Sequence, residues 1–375
     1  SYLDGSYACA VMDGDELFIA RDPIGARPVF YGTENNRFCF SSEMKGLRDH
    51  IRFDIHELEP GHIYSTKTGL AAFTPFIPET PDPENLEDAT RILQELVIEA
   101  VKKRMKGVNA IALSGGLDSS IVAVIAKEYN PDIHLFTSTI ERAEGPDLAN
   151  AKLMADFLGQ QHHIYRITDS DIADFLPEAV WYLESFDEDC INGITANYYV
   201  SRMVKEFSDL AMVGEGADEL FGGYRMVLKN PRVTGDAHRE ELAKKLLEIA
   251  YNTALRRLDR AWMANSVVYE APFLDPKVVE FSKKIPMDWK IYGEKQTEKY
   301  ILREAFKDFL PDQIYRREKL RFSMGTGIDD IMDDIVSQIV DPEKLSSLPK
   351  TYCGIPFASF KEIYYYDEFL RRFPS

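Results

Sequence analysis

Three short stretches of this sequence combine residue types that handle anions. The first reads Ser114-Gly115-Gly116-Leu117-Asp118-Ser119-Ser120 and lies between an apolar run and a helical pattern. Two glycines let backbone amides turn toward an anion without Cβ obstruction, a helix N-terminus adds partial positive charge, and the serines add hydroxyl donors. Gly-Gly alone would be an ordinary turn, but seven such residues at a strand-to-helix junction describe a phosphate cradle. No lysine completes the G-x-x-x-x-G-K-[ST] pattern, so the kinase-like phosphate loop is excluded. Asp118 would sit among phosphate donors, where a carboxylate needs a bridging cation, and magnesium is the natural one. It also suits the first turn of a helix.

The second stretch is Val213-Gly214-Glu215-Gly216-Ala217-Asp218-Glu219-Leu220-Phe221-Gly222-Gly223-Tyr224. Ligands of open α/β sheets collect at the carboxyl ends of strands, so this loop and the Ser114 loop are expected over one crevice. Asp218 would then be a second magnesium ligand, and Glu215 would orient or deprotonate a substrate amine. The third stretch, Tyr315-Arg316-Arg317-Glu318-Lys319-Leu320-Arg321-Phe322-Ser323-Met324-Gly325-Thr326-Gly327, is dense in cations. Such density usually marks a solvated helix face. The charge distribution favours more: residues 81–225 carry 12 basic and 26 acidic side chains, against 25 and 24 in residues 226–375. An anion held in the middle third therefore needs backbone amides, a divalent cation, or cations brought from the last third. Lys319 could neutralise charge growing on a leaving pyrophosphate.

The elements that must position these residues are legible as patterns. Residues 1–74 read as short strands, at Tyr7–Asp13, Leu17–Asp22, Val29–Gly32 and Arg37–Ser42, the first two joined by an Asp13-Gly14 turn. Pro75, Pro78, Pro81 and Pro83 mark a linker over 75–86. A helix runs from Leu86 to about Met105. Strands then alternate with helices: strand Val108–Leu113, helix Ser119–Tyr129, strand Ile133–Ser138, helix Asp147–Leu158, strand His163–Ile167, helices near 171–184 and 195–207, and strand Leu210–Gly214. The expected fold is α/β, a doubly wound and mostly parallel sheet with helices on both faces. From about 237 onward the pattern is mostly helical. His162-His163, Cys190 and Tyr364-Tyr365-Tyr366 read as packing residues.

Composition bounds the function classes. The chain has 375 residues, 45% hydrophobic and 28% charged, room for two domains with sizeable cores. A net charge of −18 argues against a partner held through nucleic-acid phosphates. No run of about 18 apolar residues exists, so no membrane span is expected. The N-terminal residues lack an export signal. Cys9, Cys39, Cys190 and Cys353 are far apart, without zinc-ligand spacing, which suits a reducing, cytoplasmic setting.

In this order and at these separations, the three stretches resemble the glutamine-dependent asparagine synthetases. Upstream, Leu3-Asp4-Gly5, Arg21-Asp22-Pro23-Ile24-Gly25-Ala26-Arg27-Pro28-Val29-Phe30-Tyr31 and Ser41-Ser42-Glu43-Met44-Lys45 are similar to the second half of that family's glutaminase domain. The resemblance implies a partial, Ntn-hydrolase-like glutaminase layer over 1–74 and an ATP pyrophosphatase domain of the PP-loop type over 87–375, with a helical C-terminal part. It implies ATP and magnesium as cofactors. Ser114, Gly115, Gly116, Asp118, Ser119 and Ser120 would hold pyrophosphate; Leu113, Ser138, Val213 and Gly214 would meet the adenosine. Asp118 and Asp218 would hold magnesium, Glu215 would act near the reacting amine, and Lys319 would be the catalytic lysine of the R-x-K-x-x-F-S pattern.

The implied reaction is amide formation: a carboxylate attacks the α-phosphate of ATP, and ammonia or an amine displaces AMP from the acyl-adenylate. Aspartate is the default acid. Two family arginines are absent, however, at Asn192 of Asp189-Cys190-Ile191-Asn192 and at Glu270 of Ser266-Val267-Val268-Tyr269-Glu270. A substrate with two carboxylates favours guanidinium partners, so another acid is the alternative. The glutaminase nucleophile of the family has no counterpart here. The expectation is no glutaminase activity from these residues alone, with a separate glutaminase chain or a homo-oligomer as partner. Rival readings are an intramolecular cyclase of the β-lactam synthetase or lasso-peptide type, and a non-catalytic partner subunit.

Overall fold

A computed structural model of the chain describes residues 3–51, 54–74, 79–142, 144–224, 236–318 and 325–373. The chain forms two compact units, each drawn from three separated stretches. The first comprises Ser1–Ala100, Glu215–Asp259 and Ala271–Ala305; the second comprises Val101–Gly214, Arg260–Glu270 and Phe306–Ser375.

The first unit opens with the expected β-rich layer. β1 (Ala8–Asp13) and β2 (Glu16–Arg21) form a hairpin in which Asp13 pairs with Glu16, so its turn is Gly14-Asp15 rather than Asp13-Gly14. Gly14 supplies the positive φ of 61° that such a tight turn demands. β3 (Phe30–Glu34) and β4 (Arg37–Ser41) form a second hairpin, joined by β5 (His56–Glu57). β6 (His62–Ser65) and β7 (Gly69–Ala72), which the periodicity did not single out, extend the first pair to an antiparallel sheet in the order β1-β2-β6-β7. Ile19, Val29, Tyr31 and Leu58 are buried together beneath Phe38 and Tyr64. The polar Arg21-Asp22 pair is structural: buried Arg21 donates to the carbonyls of Leu58 (2.7 Å) and Gly25 (2.9 Å), and Asp22 accepts the amides of Ile24, Ala26 and Arg27. Burial pushes the Asp22 carboxyl up, against the pull of those amides.

The second unit is built on a five-stranded parallel sheet in the order β10-β9-β8-β11-β12. The strands are β8 (Ala110–Ala112), β9 (His134–Ile140), β10 (Gln161–Ile167), β11 (Leu210–Met212) and β12 (Val268–Glu270). Before them comes helix α1 (Leu86–Arg104), whose start matches the expected one. α2 (Leu117–Tyr129), α3 (Pro146–Leu158), α4 (Asp169–Leu183) and α5 (Glu188–Lys205) connect the first four strands. α3 starts on a proline and stops at Gly159 with φ 63°; α4 starts on a capping box between Thr168 and Asp171. The chain moves outward from β8 to β10, then returns past β8 to β11 and β12. By the right-handed rule for such crossovers α2 and α3 belong on one face and the returning helices on the other; α2 packs on β8 and on α3, and α5 packs on β9 and β10. The doubly wound α/β expectation is met, and the order reverses between β8 and β11. Within the mostly helical stretch after 237, Val268–Glu270 forms the fifth parallel strand, pairing Leu210 with Val268 and Met212 with Glu270, and two short antiparallel pairs, Ile291–Tyr292 with Thr297–Glu298 and Thr351–Tyr352 with Ile355–Pro356, are strands as well. The three residues of Val268–Glu270 are too few to show a period of two, and only the neighbouring β11 makes them a strand.

Candidate functional site

In an open parallel sheet the crevice for a ligand lies beyond the carboxyl ends of the strands where the order reverses. Here those ends are Leu113 after β8 and Val213 after β11. Leu113 is buried and donates its amide to Phe136 (2.8 Å), while Val213 donates to Glu270 (2.9 Å). The chain then turns at Ser114-Gly115-Gly116 into α2. Gly115 has φ 72°, and a Cβ there would lie 2.5 Å from the amide of Ala151 and 2.5 Å from the carbonyl of Asp147. The loop is therefore pressed against the backbone of α3, and only glycine fits. Gly214 comes equally close, since its Cβ would meet the amide of Ser119 at 2.7 Å. The glycines bring two backbones and a helix N-terminus together.

The serines of the loop divide into two kinds. Ser119 Oγ accepts from the Ser114 amide (3.1 Å) and meets Ser114 Oγ at 3.1 Å, which sets the curvature of the turn. Ser120 is fully buried and donates its hydroxyl to the Gly116 carbonyl (2.7 Å), so its side chain braces α2. Asp118 is buried in the first turn of α2. Ser138, near the end of β9, donates to the Ala196 carbonyl of α5 (3.0 Å). Leu113, Ser114, Gly115, Gly116, Asp118, Ser119, Ser120, Ser138, Val213 and Gly214 all fall in this second unit. Beneath them, Thr137 Oγ1 donates to Leu113 O and meets His162 Nε2 at 2.8 Å. Burial holds His162 down to about 4, so it serves as a neutral strut.

One cation of the basic segment reaches the glycine loop. Arg317 donates Nη1 to the carbonyl of Gly115 (2.6 Å) and Nη2 to Asp147 of α3. Its side chain is 13% exposed and that of Asp147 9%, so this pair is largely withdrawn from water. On the far side of the same segment a Cβ on Gly325 would stand 2.0 Å from Asp147 Oδ2, and one on Gly145 would stand 2.0 Å from Gly325 O. Both flanks are thus seated against α3 and the glycine loop. Lys319 itself lies outside the described residues. Arg317 was visible in the sequence as one cation among four, but nothing local distinguished it.

Glu215 and Asp218 fall in the first unit. Glu215 faces Arg257 (3.5 Å), and Asp218 is paired with buried Lys299 (2.6 Å). A Cβ on Gly223 would overlap Asp218 Oδ1 at 1.8 Å, and Gly216 has φ 101° against Leu274. The glycines of this stretch therefore wrap the chain around Asp218. Lys299 and Arg257 carried no sequence signal. Glu219 is strongly perturbed: burial, then the charges of Glu215 and Asp218, push it up to about 7, while the Tyr224 hydroxyl donates to it. Tyr224 is itself pushed well above its ordinary value by burial.

That shift makes a prediction about stability. Because the folded Glu219 carboxyl titrates above the unfolded one, its contribution is fully present below about pH 4.5 and is lost as pH rises through about 7. Glu219→Gln keeps an acceptor for Tyr224 and removes the charge. It is expected to stabilise the protein at pH 8 by up to ~3 kcal/mol and to change little at pH 4.5. Thermal melting at both values checks this; equal shifts at the two would refute it.

Among the described residues no three His, Cys, Asp or Glu side chains cluster as a metal centre, and no disulfide joins the four cysteines. No described helix is long and apolar enough to cross a membrane. Magnesium that arrives on a triphosphate needs only one or two carboxylates, a donor set that buried Asp118 fits. In the segment where the family arginines are absent, Asn192 donates Nδ2 to Asp329 (2.8 Å), Glu270 faces Arg104 (3.4 Å), and Glu184 forms a buried pair with Arg260 (2.8 Å).

Comparison with known proteins identifies the family. A family model described as asparagine synthase matches residues 93–239 and 230–373, and one described as a glutamine amidotransferase domain matches residues 1–49. The chain is 32% identical over 406 residues to an asparagine synthetase [glutamine-hydrolyzing] of Sandersonia aurantiaca, covering 99% of this chain and 74% of that protein. With asparagine synthetase [glutamine-hydrolyzing] 2 of Oryza sativa subsp. japonica it is 32% identical over 402 residues, covering 99% and 66%. The chain thus spans about two thirds to three quarters of these relatives. Its structure overlaps an NH3-dependent NAD synthetase from Campylobacter jejuni with a TM-score of 0.32 and 13% identity, over 69% of this chain and 89% of that one. By the family model that matches most of its length and by relatives 32% identical over 99% of its residues, the chain belongs to the asparagine synthase family.

Proposed function

We propose that this protein is an ATP-dependent, AMP-forming amide ligase with a fold of the PP-loop ATP pyrophosphatase type. The observation that carries the reading is the Ser114–Ser120 loop. It lies at the reversal of strand order, Gly115 has no room for a Cβ atom, and a cation from the last third of the chain is bonded to its backbone. Family membership supports the same conclusion, and the proposed division into residues 1–74 and 87–375 around a linker leaves one matched family model within each part.

In this mechanism the amides of Gly115, Gly116 and the first turn of α2 bind the outer phosphates of ATP, with Ser114 and Ser119 adding hydroxyls. Leu113, Ser138, Val213 and Gly214 border the adenosine. A substrate carboxylate attacks the α-phosphorus, the bond to the bridging oxygen breaks, and pyrophosphate departs with the charge. Lys319 offsets that charge. Ammonia or an amine, oriented by Glu215, then attacks the acyl carbon; AMP leaves and the nitrogen gives up its proton. Magnesium, with Asp118 and Asp218 as proposed ligands, would supply further charge neutralisation on the phosphates. The reaction belongs to a reducing, cytoplasmic setting.

Aspartate is the default acid. Asn192 and Glu270 stand where the resembling family has arginine, and each is engaged by a neighbour, Asp329 and Arg104 respectively. Without those arginines a second carboxylate would find little compensation, which favours an acid with a neutral or donor-bearing side chain as the alternative. The test is release of AMP and pyrophosphate from ATP with a panel of carboxylic acids and ammonia, with and without magnesium. AMP formation that requires an acid supports the ligase. ADP and phosphate as the only products would overturn it, and AMP formation indifferent to ammonia would indicate an amine within the substrate.

A further inference from the structure

Arg317 joins two parts of the second unit that stand 202 residues apart in sequence. We infer that Arg317 is a positioning residue: by holding the Gly115 carbonyl it aims the Gly116 N–H into the phosphate site. This deepens the ligase reading and rests on it.

The argument begins with the peptide plane. In a trans peptide the carbonyl and the following N–H point in opposite directions. Arg317 Nη1 holds Gly115 O at 2.6 Å, so the N–H of Gly116 must face the other way. There it meets Ser114 Oγ at 3.3 Å, a long bond that an anionic oxygen can replace. Something has to choose this orientation, because a peptide between two glycines has little steric preference of its own. The guanidinium is in turn aimed by Asp147, which takes Nη2 and is crowded by Gly325. A planar fork that serves a carbonyl and a carboxylate at once is a task lysine cannot reproduce. Arg317 thus acts on the ligand through the backbone, without a contact of its own being required.

The consequence is selective. Phosphate binding depends on the Gly116 N–H, whereas adenosine binding depends on Leu113, Ser138, Val213 and Gly214. Calorimetry on the wild type, Arg317→Lys and Arg317→Ala, with inorganic pyrophosphate plus magnesium and separately with adenosine, reads the two apart. Pyrophosphate affinity is expected to fall about tenfold or more in both variants, the size of one lost bond to a charged group. Adenosine affinity is expected to stay within about twofold. Equal losses for both ligands would show a merely structural arginine, and unchanged pyrophosphate binding would show that the peptide is held without it; either overturns the inference. Should Arg317→Ala fail to fold, Arg317→Lys and Asp147→Asn carry the test, since both keep a side chain in place and disturb the fork. A wild type that binds neither ligand would sink the ligase reading itself.

Discussion

Gly115→Ala is expected to lower AMP formation by about a hundredfold or more while the protein still folds. Two separate costs act at this position. The backbone has φ 72°, which costs an L-residue about 1–2 kcal/mol. The added methyl would stand 2.5 Å from two backbone atoms of α3, which cannot rotate aside as a side-chain tip can, and such overpacking costs about 1–3 kcal/mol. The loop must move away from α3, which breaks the Arg317 bond to Gly115 O and misdirects the amides meant for phosphate. A displacement near 1 Å at a positioning group is worth about a hundredfold in rate. Gly159→Ala is the control: its φ is 63° and nothing lies within 4 Å of the new Cβ, so it carries only the conformational cost and should leave turnover unchanged. Rates and melting temperatures of the two variants decide the matter, and equal activities would remove the loop from the site.

Lys319→Ala is expected to reduce kcat by about 10²–10³ with a much smaller change in ATP affinity. A cation aimed at charge that develops on departing pyrophosphate stabilises the transition state more than bound ATP, and removing one such group typically costs this much. The motivation comes from described residues on either side of Lys319. Arg317, two residues before it, is bonded to the phosphate loop, and Gly325, six residues after it, packs on Asp147. Steady-state kinetics and an ATP-binding titration on the same variant read the two effects separately. Losses of equal size in both would assign Lys319 to ground-state binding and withdraw its role in pyrophosphate departure.

The parts of this protein that were legible in its sequence are those whose causes are local. Leu86–Arg104 is a helix almost as read, because one apolar face repeats along it. The hairpin at Gly14 and the strands around it follow from alternation and turn chemistry, although the turn centre lay one residue later than expected. The strand-to-helix glycine loop proposed to bind phosphate was legible for a deeper reason: a backbone that approaches an anion needs glycines, hydroxyls and a helix start in succession, and those needs are written in adjacent letters. The strand Val268–Glu270 was illegible because three residues have no period, and β11 alone makes them a strand.

Chain composition and motif order thus determined, without coordinates, the α/β class, and singled out the glycine loop proposed to bind phosphate, the carboxylate-bearing loop and the basic segment. Only the tertiary structure decided which partners those groups keep. Arg317 rather than a neighbouring cation holds Gly115, Lys299 lies on Asp218, and Glu219 titrates near neutrality. The physical reason is the same in each case. Side-chain pairing and desolvation depend on distance in space, and residues far apart in the chain acquire that distance only when the sheet and its helices have packed.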